Sequence, residues 1–127
     1  MQTVRVPLVA VCIPAYNSEK TISATLESVL GQTYKNIKVI VSDNASTDGT
    51  AEIVGRFAAS DPRLAIFRHP RNIGGEANFN HCIQLGDGDY TAIFHADDVY
   101  SPTMIEEQVS SLEKTGKPAP FLPWRRA

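Results

Sequence analysis

Leu8-Val9-Ala10-Val11-Cys12-Ile13-Pro14 is an unbroken apolar run. A strand with one wet face alternates apolar and polar residues, whereas a strand covered on both faces does not. The run therefore predicts a strand inside a parallel sheet, closed by Pro14. Outward from it, Asn17 or Ser18 can cap a helix whose apolar positions Ile22, Leu26, Val29 and Leu30 recur at helical spacing, with Gly31 as its stop. Ile37-Lys38-Val39-Ile40-Val41 then reads as a second strand, closing in Ser42-Asp43-Asn44-Ala45-Ser46-Thr47-Asp48-Gly49-Thr50. Ser and Thr hydroxyls followed by Asp48 mark the start of a helix to about Ala59, with Ile53, Val54 and Phe57 inward.

The alternation continues. Asp61-Pro62 is a turn, and Leu64 to Phe67 is a short third strand leading into the loop Arg71-Asn72-Ile73-Gly74-Gly75. A helix from Glu76 to Leu85 offers Ala77, Phe79, Cys82, Ile83 and Leu85 for packing. Gly86-Asp87-Gly88 turns it into a buried strand, Tyr90 to Phe94, which ends at Asp97-Asp98. A last helix follows Pro102, with Met104, Ile105, Val109 and Leu112 on one side and Gly116 after it. The order β-α-β-α-β-α-β-α predicts an α/β fold: a three-layer, open, mostly parallel sheet with helices on both faces. Residues 1–116 form one domain in this reading, and 117–127 an irregular Pro-rich tail.

Composition bounds the partners. The 127 residues suffice for a core without disulfide or metal, and the net charge of −2, with scattered Lys and Arg, gives no basic field for nucleic acid. Cys12 and Cys82 fall inside a strand and a helix pattern, so both are expected as buried thiols in a reducing compartment. No run approaches a membrane-spanning length, and the expected location is the cytoplasm or the inner face of the membrane.

In an open parallel sheet the loops after the strands gather at one edge, and ligands sit there where the strand order reverses. That edge would hold Ala15-Tyr16-Asn17, Asp43-Asn44, Asn72-Gly74-Gly75 and Asp97-Asp98. Two adjacent carboxylates repel unless water, a donor or a cation compensates them, and a hard divalent ion on a diphosphate is one such compensator. Each loop also has a plainer use. Tyr16 and His95 could be packed residues, Asp43 and Ser46 a helix cap, Gly74-Gly75 a simple turn, and Asp97-Asp98 a solvated loop. No Ser-His-Asp or Cys-His order suggests a nucleophile.

Five stretches in order, Val11 to Asn17, Ser28 to Tyr34, Val41 to Thr50, Asn72-Ile73-Gly74 and Asp97-Asp98, resemble the N-terminal half of family 2 glycosyltransferases with the Rossmann-like GT-A fold. The resemblance covers roughly residues 8 to 113, and Gly75 to Asn80 with His95 to Asp98 looks like a bacterial branch concerned with cell-envelope polysaccharide. It implies a strand order of 3-2-1-4 and a nucleotide site made of Pro14, Ala15, Tyr16, Asn17, Asp43, Asn44, Gly74 and Asp97. Tyr16 would stack on the base, Asp43-Asn44 bond its edge, and Asp97 face the ribose. Asp98 would hold the Mn²⁺ or Mg²⁺ that bridges the diphosphate. The implied activity is inverting transfer from a UDP- or dTDP-type sugar donor to a saccharide or lipid-linked acceptor.

Two departures stand out. Many relatives carry an acidic residue where Asn44 stands, and Asp where His95 stands. Nothing after Ser111 resembles the family's acceptor half, so the resemblance implies a chain truncated before the acceptor site and general base, with no catalytic residue to assign here. The alternative is a catalytically inactive nucleotide-binding module that acts through assembly with another chain. A homo-oligomer is expected, because the Tyr90 to Phe94 strand would keep an uncovered edge that only Phe121, Leu122 and Trp124 could shield.

Overall fold

The computed structural model describes residues 6–117. Strands β1 (Val9–Ala15), β2 (Ile37–Asp43), β3 (Leu64–Arg68) and β4 (Tyr90–Ile93) alternate with helices α1 (Ile22–Leu30), α2 (Thr50–Ser60), α3 (Gly75–Leu85) and α4 (Met104–Thr115). The four strands are parallel in the order β3-β2-β1-β4. The proposed shielding residues Phe121, Leu122 and Trp124, and all of the tail beyond Lys117, lie outside the described residues.

The continuous apolar run is explained by where β1 sits, between β2 and β4. Its odd-numbered residues Val9, Val11, Ile13 and Ala15 pack with Ile22, Leu26 and Val29 of α1, Val54 of α2, and Met104, Ile105 and Val109 of α4. Its even-numbered Ala10 and Cys12 are equally buried, on the face that carries α3. Ile22, Leu26 and Val29 are fully buried, and burial of such side chains is worth about 1.5–3 kcal/mol each. That sum, more than helix propensity, holds a helix of only nine residues.

Four local expectations are corrected. Pro14 does not close β1, because the ladder runs on through Pro14↔Ser42 and Ala15↔Asp43. The Pro14 nitrogen faces the side that β4 has already left after Cys12↔Ile93, so its missing N–H forfeits no bond. Neither Asn17 nor Ser18 caps α1; Thr21 holds that position, and the Asn17 side chain turns instead to the β2–α2 loop. On α3 the inward residues are Asn78 and Cys82, one turn apart, which leaves Ala77, Phe79 and Ile83 on the outer side. β4 is an edge strand with β1 as its neighbour, so Tyr90, Ala92 and Ile93 are only half-buried and Thr91 is exposed.

Candidate nucleotide-binding site

The C-terminal ends of β1, β2 and β4 feed three loops that are tied to one another. Asn17 adopts a left-handed backbone, φ 46°, which Asn tolerates better than most residues. From there its Oδ1 accepts the Thr47 N–H at 2.8 Å, and its own N–H donates to the Ser46 hydroxyl at 2.8 Å. The Ser18 N–H donates to the Thr50 hydroxyl at 2.7 Å. Glu19 reaches across and accepts the Gly49 N–H at 2.9 Å, so a carboxylate from a neighbouring loop occupies the N-terminus of α2. Asp48 accepts from the Thr50 N–H at 2.9 Å, and Gly49 between them holds the N-cap position of α2.

Asp43 is fully buried at the end of β2. Its carboxylate accepts the Ser46 hydroxyl at 2.5 Å and the Ser46 N–H at 3.0 Å, and the Arg68 Nε lies 3.5 Å away. Asn44, 3% exposed, spends its amide on the β3–α3 loop. Its Oδ1 accepts the Ile73 N–H at 2.9 Å, and its Nδ2 donates to Asn72 Oδ1 at 3.0 Å and to the Gly74 carbonyl at 3.2 Å. Gly74 is at φ 90°, a conformation that costs any other residue strain. Asp43 and Asn44 thus set the shape of the wall, with Ala15 bonded to the second of them through Asn44 N–H to Ala15 carbonyl at 2.8 Å.

The acidic turn after β4 is built on α1. The Thr21 hydroxyl donates to the Ala96 carbonyl at 2.9 Å, and the buried Thr25 hydroxyl lies 2.7 Å from the Asp98 carbonyl and 3.0 Å from that of Ala96. Ser28 accepts the Tyr100 N–H at 3.1 Å, and Gln32 bridges the Ser101 carbonyl at 2.7 Å and the Ile105 N–H at 3.0 Å. The Tyr100 hydroxyl accepts the His95 N–H at 2.6 Å. Burial pushes its pKa up to about 12, with the charges of Asp98 and Asp97 adding to the effect, so it stays a neutral phenol. Asp97 is left exposed and Asp98 half-buried.

Between these loops lies a cleft of about 570 Å³ lined by residues 16–21, Asp48 and 95–97. Tyr16 is 47% exposed at its rim. The structure therefore brings Tyr16, Asn17 and Asp97 into one cleft. Pro14 and Ala15 lie in β1 beneath it, Asp43 and Asn44 are buried behind it, and Gly74 sits beyond Asn44. Sequence spacing gave no role to Thr21, Thr25, Ser28 and Gln32. They recur at the same helical interval as the apolar stripe of α1, and that second, polar stripe was the available signal.

A parallel sheet in the order 3-2-1-4 with helices packed on it and a polar cleft at the strand ends is the α/β architecture of the GT-A kind. The chain belongs to glycosyl transferase family 2, whose model matches residues 10–125. It is 40% identical over 109 residues to EpsE of Bacillus subtilis, covering 85% of this chain and 39% of that one. It is 37% identical over 106 residues to the Escherichia coli UDP-Glc:alpha-D-GlcNAc-diphosphoundecaprenol beta-1,3-glucosyltransferase WfaP, covering 84% and 41%. Among solved structures, the mannosyltransferase PcManGT of Pyrobaculum calidifontis in complex with GDP-Man and Mn²⁺ superposes with a TM-score of 0.78 at 28% identity, over 87% of this chain and 34% of that one. S. aureus TarS 1–349 gives 0.78 at 25% identity, over 85% and 33%. The chain spans about two fifths of the length of the curated relatives it matches. No described helix is long and apolar enough to cross a membrane.

Proposed function

We propose that this chain forms the donor-binding part of a metal-dependent, inverting glycosyltransferase, which takes a UDP- or dTDP-type sugar donor and serves a saccharide or lipid-linked acceptor in bacterial cell-envelope polysaccharide synthesis. The observation that carries the reading is that an exposed Tyr16 ring and Asp97 line one cleft, with Asp98 next in the chain. An aromatic face accepts a planar base, and Asp97, which lines the same cleft, would face the ribose. Asp43 and Asn44 shape the wall against which the base edge would rest, and Gly74 supplies the positive φ, 90°, at which the β3–α3 loop meets Asn44. The relative WfaP is named for a UDP-Glc donor and a diphosphoundecaprenol-linked acceptor, and the neighbour PcManGT was solved with a nucleotide sugar.

The donor set suits a divalent ion of the magnesium kind. Among the described residues no three His, Cys, Asp or Glu side chains converge, so the protein offers one or two carboxylates and no complete cage. Mg²⁺ and Mn²⁺ are commonly bound that way, with phosphate and water completing the shell. Asp98 would hold the ion, with Asp97 beside it; when bound, the ion would neutralise charge on the departing nucleoside diphosphate. Thr21 and Thr25 hold the backbone of the turn, which keeps the carboxylates in place without ordering at the moment of binding.

Saturation-transfer NMR with UDP-glucose and the diamagnetic Mg²⁺, and GDP-mannose as competitor, tests the reading. Saturation of the uridine protons, displaced by UDP and weakly by GDP-mannose, is expected. Absence of transfer to every nucleotide sugar tried would overturn it.

A further inference from the structure

Behind Asp43, on the α3 face of the sheet, lies a polar cluster that the donor site does not itself use. Asn78 Nδ2 donates to the Ser42 carbonyl at 3.0 Å, which fixes the orientation of its amide. Its Oδ1 is therefore an acceptor, for the Ser42 hydroxyl at 2.7 Å and for His69 Nε2 at 3.0 Å. With its own proton committed to Asn78, Ser42 Oγ must accept from His81 Nδ1, 3.1 Å away. The hydrogen bonds thus make Nε2 of His69 and Nδ1 of His81 the donors of the cluster, and a second proton on either ring would leave these bonds in place. The two rings are 4.6 Å apart, centroid to centroid, and Phe67 packs on both.

The cluster is joined to the wall of the donor site at three points. Ser42 precedes Asp43 in β2, the His69 N–H donates to the Asp43 carbonyl at 2.9 Å, and Asn78 sits one turn after Gly74, whose carbonyl accepts from Asn44. We propose that Ser42, His69, Asn78 and His81 are positioning residues for donor binding: their hydrogen bonds clamp α3 and the β3–α3 loop to the end of β2, and positive charge gathered on the two adjacent rings loosens the clamp. This proposal rests on the donor-binding reading above. A second proton on each ring would place two imidazolium ions side by side, where like charges oppose ionisation. Consistent with that, burial and the neighbouring His69 hold the His81 pKa below the ordinary histidine value. The other titratable or charged groups around the cluster are Cys82 on α3, a neutral thiol with its pKa pushed up to about 12, and the Arg68 and Asp43 pair at the ends of β3 and β2.

The test exploits amide mimicry: the side-chain nitrogen of Gln can replace imidazole Nε2–H, and that of Asn can replace Nδ1–H, neither with a titration. Calorimetric titration of UDP with Mn²⁺ is run from about pH 8 to about pH 5, a span that brackets the ordinary histidine range. Any titration of the nucleotide itself is common to all variants and cancels in the ratio of affinities. His69→Leu is expected to weaken binding by up to about tenfold at every pH, because the buried Asn78 Oδ1 keeps its bond from Ser42 but loses the one from His69. The double variant H69Q/H81N is expected to rescue that loss at the alkaline end and to lose affinity less steeply than the parent toward acid. Parallel acid profiles for parent and H69Q/H81N would overturn the proposal, whether or not His69→Leu folds. If the parent binds no nucleotide even at the alkaline end, the donor-binding reading falls, and the proposal with it.

Discussion

Thr25→Val isolates the tie between α1 and the acidic turn. The two side chains have nearly the same shape, and Thr25 is fully buried, so no water replaces the lost hydroxyl. The Ala96 carbonyl keeps its bond from Thr21 at 2.9 Å, and the loss falls on the Asp98 carbonyl, which Thr25 approaches to 2.7 Å. Taking the Thr25 hydroxyl from the half-buried Asp98 carbonyl costs about 1–3 kcal/mol. For a domain of this size that is about 4 to 12 °C in Tm. Thr25→Ser is the control: it keeps the hydroxyl and gives up one methyl, at about 1 kcal/mol. Calorimetric melting reads stability, and titration with UDP and Mn²⁺ reads the site. The expected pattern is a larger melting loss for Val than for Ser, with weakened metal-dependent affinity for Val alone. If Thr25→Val melts within about 1 °C of the parent and binds UDP as well, the hydroxyl does not hold the turn and the argument fails.

Tyr16→Ala should cost about 1–3 kcal/mol of nucleotide affinity, the usual worth of base stacking, while Tyr16→Phe should keep most of it; dissociation constants for the two variants decide this. Asp43→Ala should weaken nucleoside binding with or without metal and also lower the melting temperature, because Ser46 and Arg68 lose their shared acceptor. Stability should fall with acid in two stages. His81 is held below its ordinary 6.5, so the unfolded chain takes up that proton first and stability is lost as pH drops below about 6.5. The carboxyl of Asp61 is lowered by its hydrogen bonds from Arg63, and that of Asp48, although partly desolvated, by hydrogen bonds from Thr50; both stabilise above 3.8 and lose this as pH falls through their folded values. Urea midpoints across this range should show both stages, and His81→Asn should flatten the first.

The fold was legible because its central strand advertises burial on both faces and every helix but one shows its inward stripe. The exception is α3. Phe79 and Ile83 suggested an apolar inner face, yet the helix turns Asn78 and Cys82 inward because Ser42 and His69 on β2 and the β3–α3 loop supply hydrogen-bond partners for an amide. No local periodicity reports a partner that far away in sequence. Pro14 misled for a similar reason: its effect depends on which side of β1 lacks a neighbour, and that is a property of the sheet. The site residues were legible as loop endings, whereas the division between the cleft and the buried wall behind it was not. Asp43 and Asn44 look like a polar rim in sequence, but backbone curvature at Ala45, φ 59°, folds Ser46 back over them.

The central claim is that the Asp97-Asp98 turn binds a nucleoside diphosphate through a divalent ion. Calorimetric titration of the chain with UDP, with Mn²⁺ and then with excess chelator, tests it most directly, with Asp98→Ala alongside. The account predicts binding to the parent with Mn²⁺, its loss with chelator, and weak, metal-independent binding to Asp98→Ala. Equal affinity of the parent for UDP in the two conditions would contradict it.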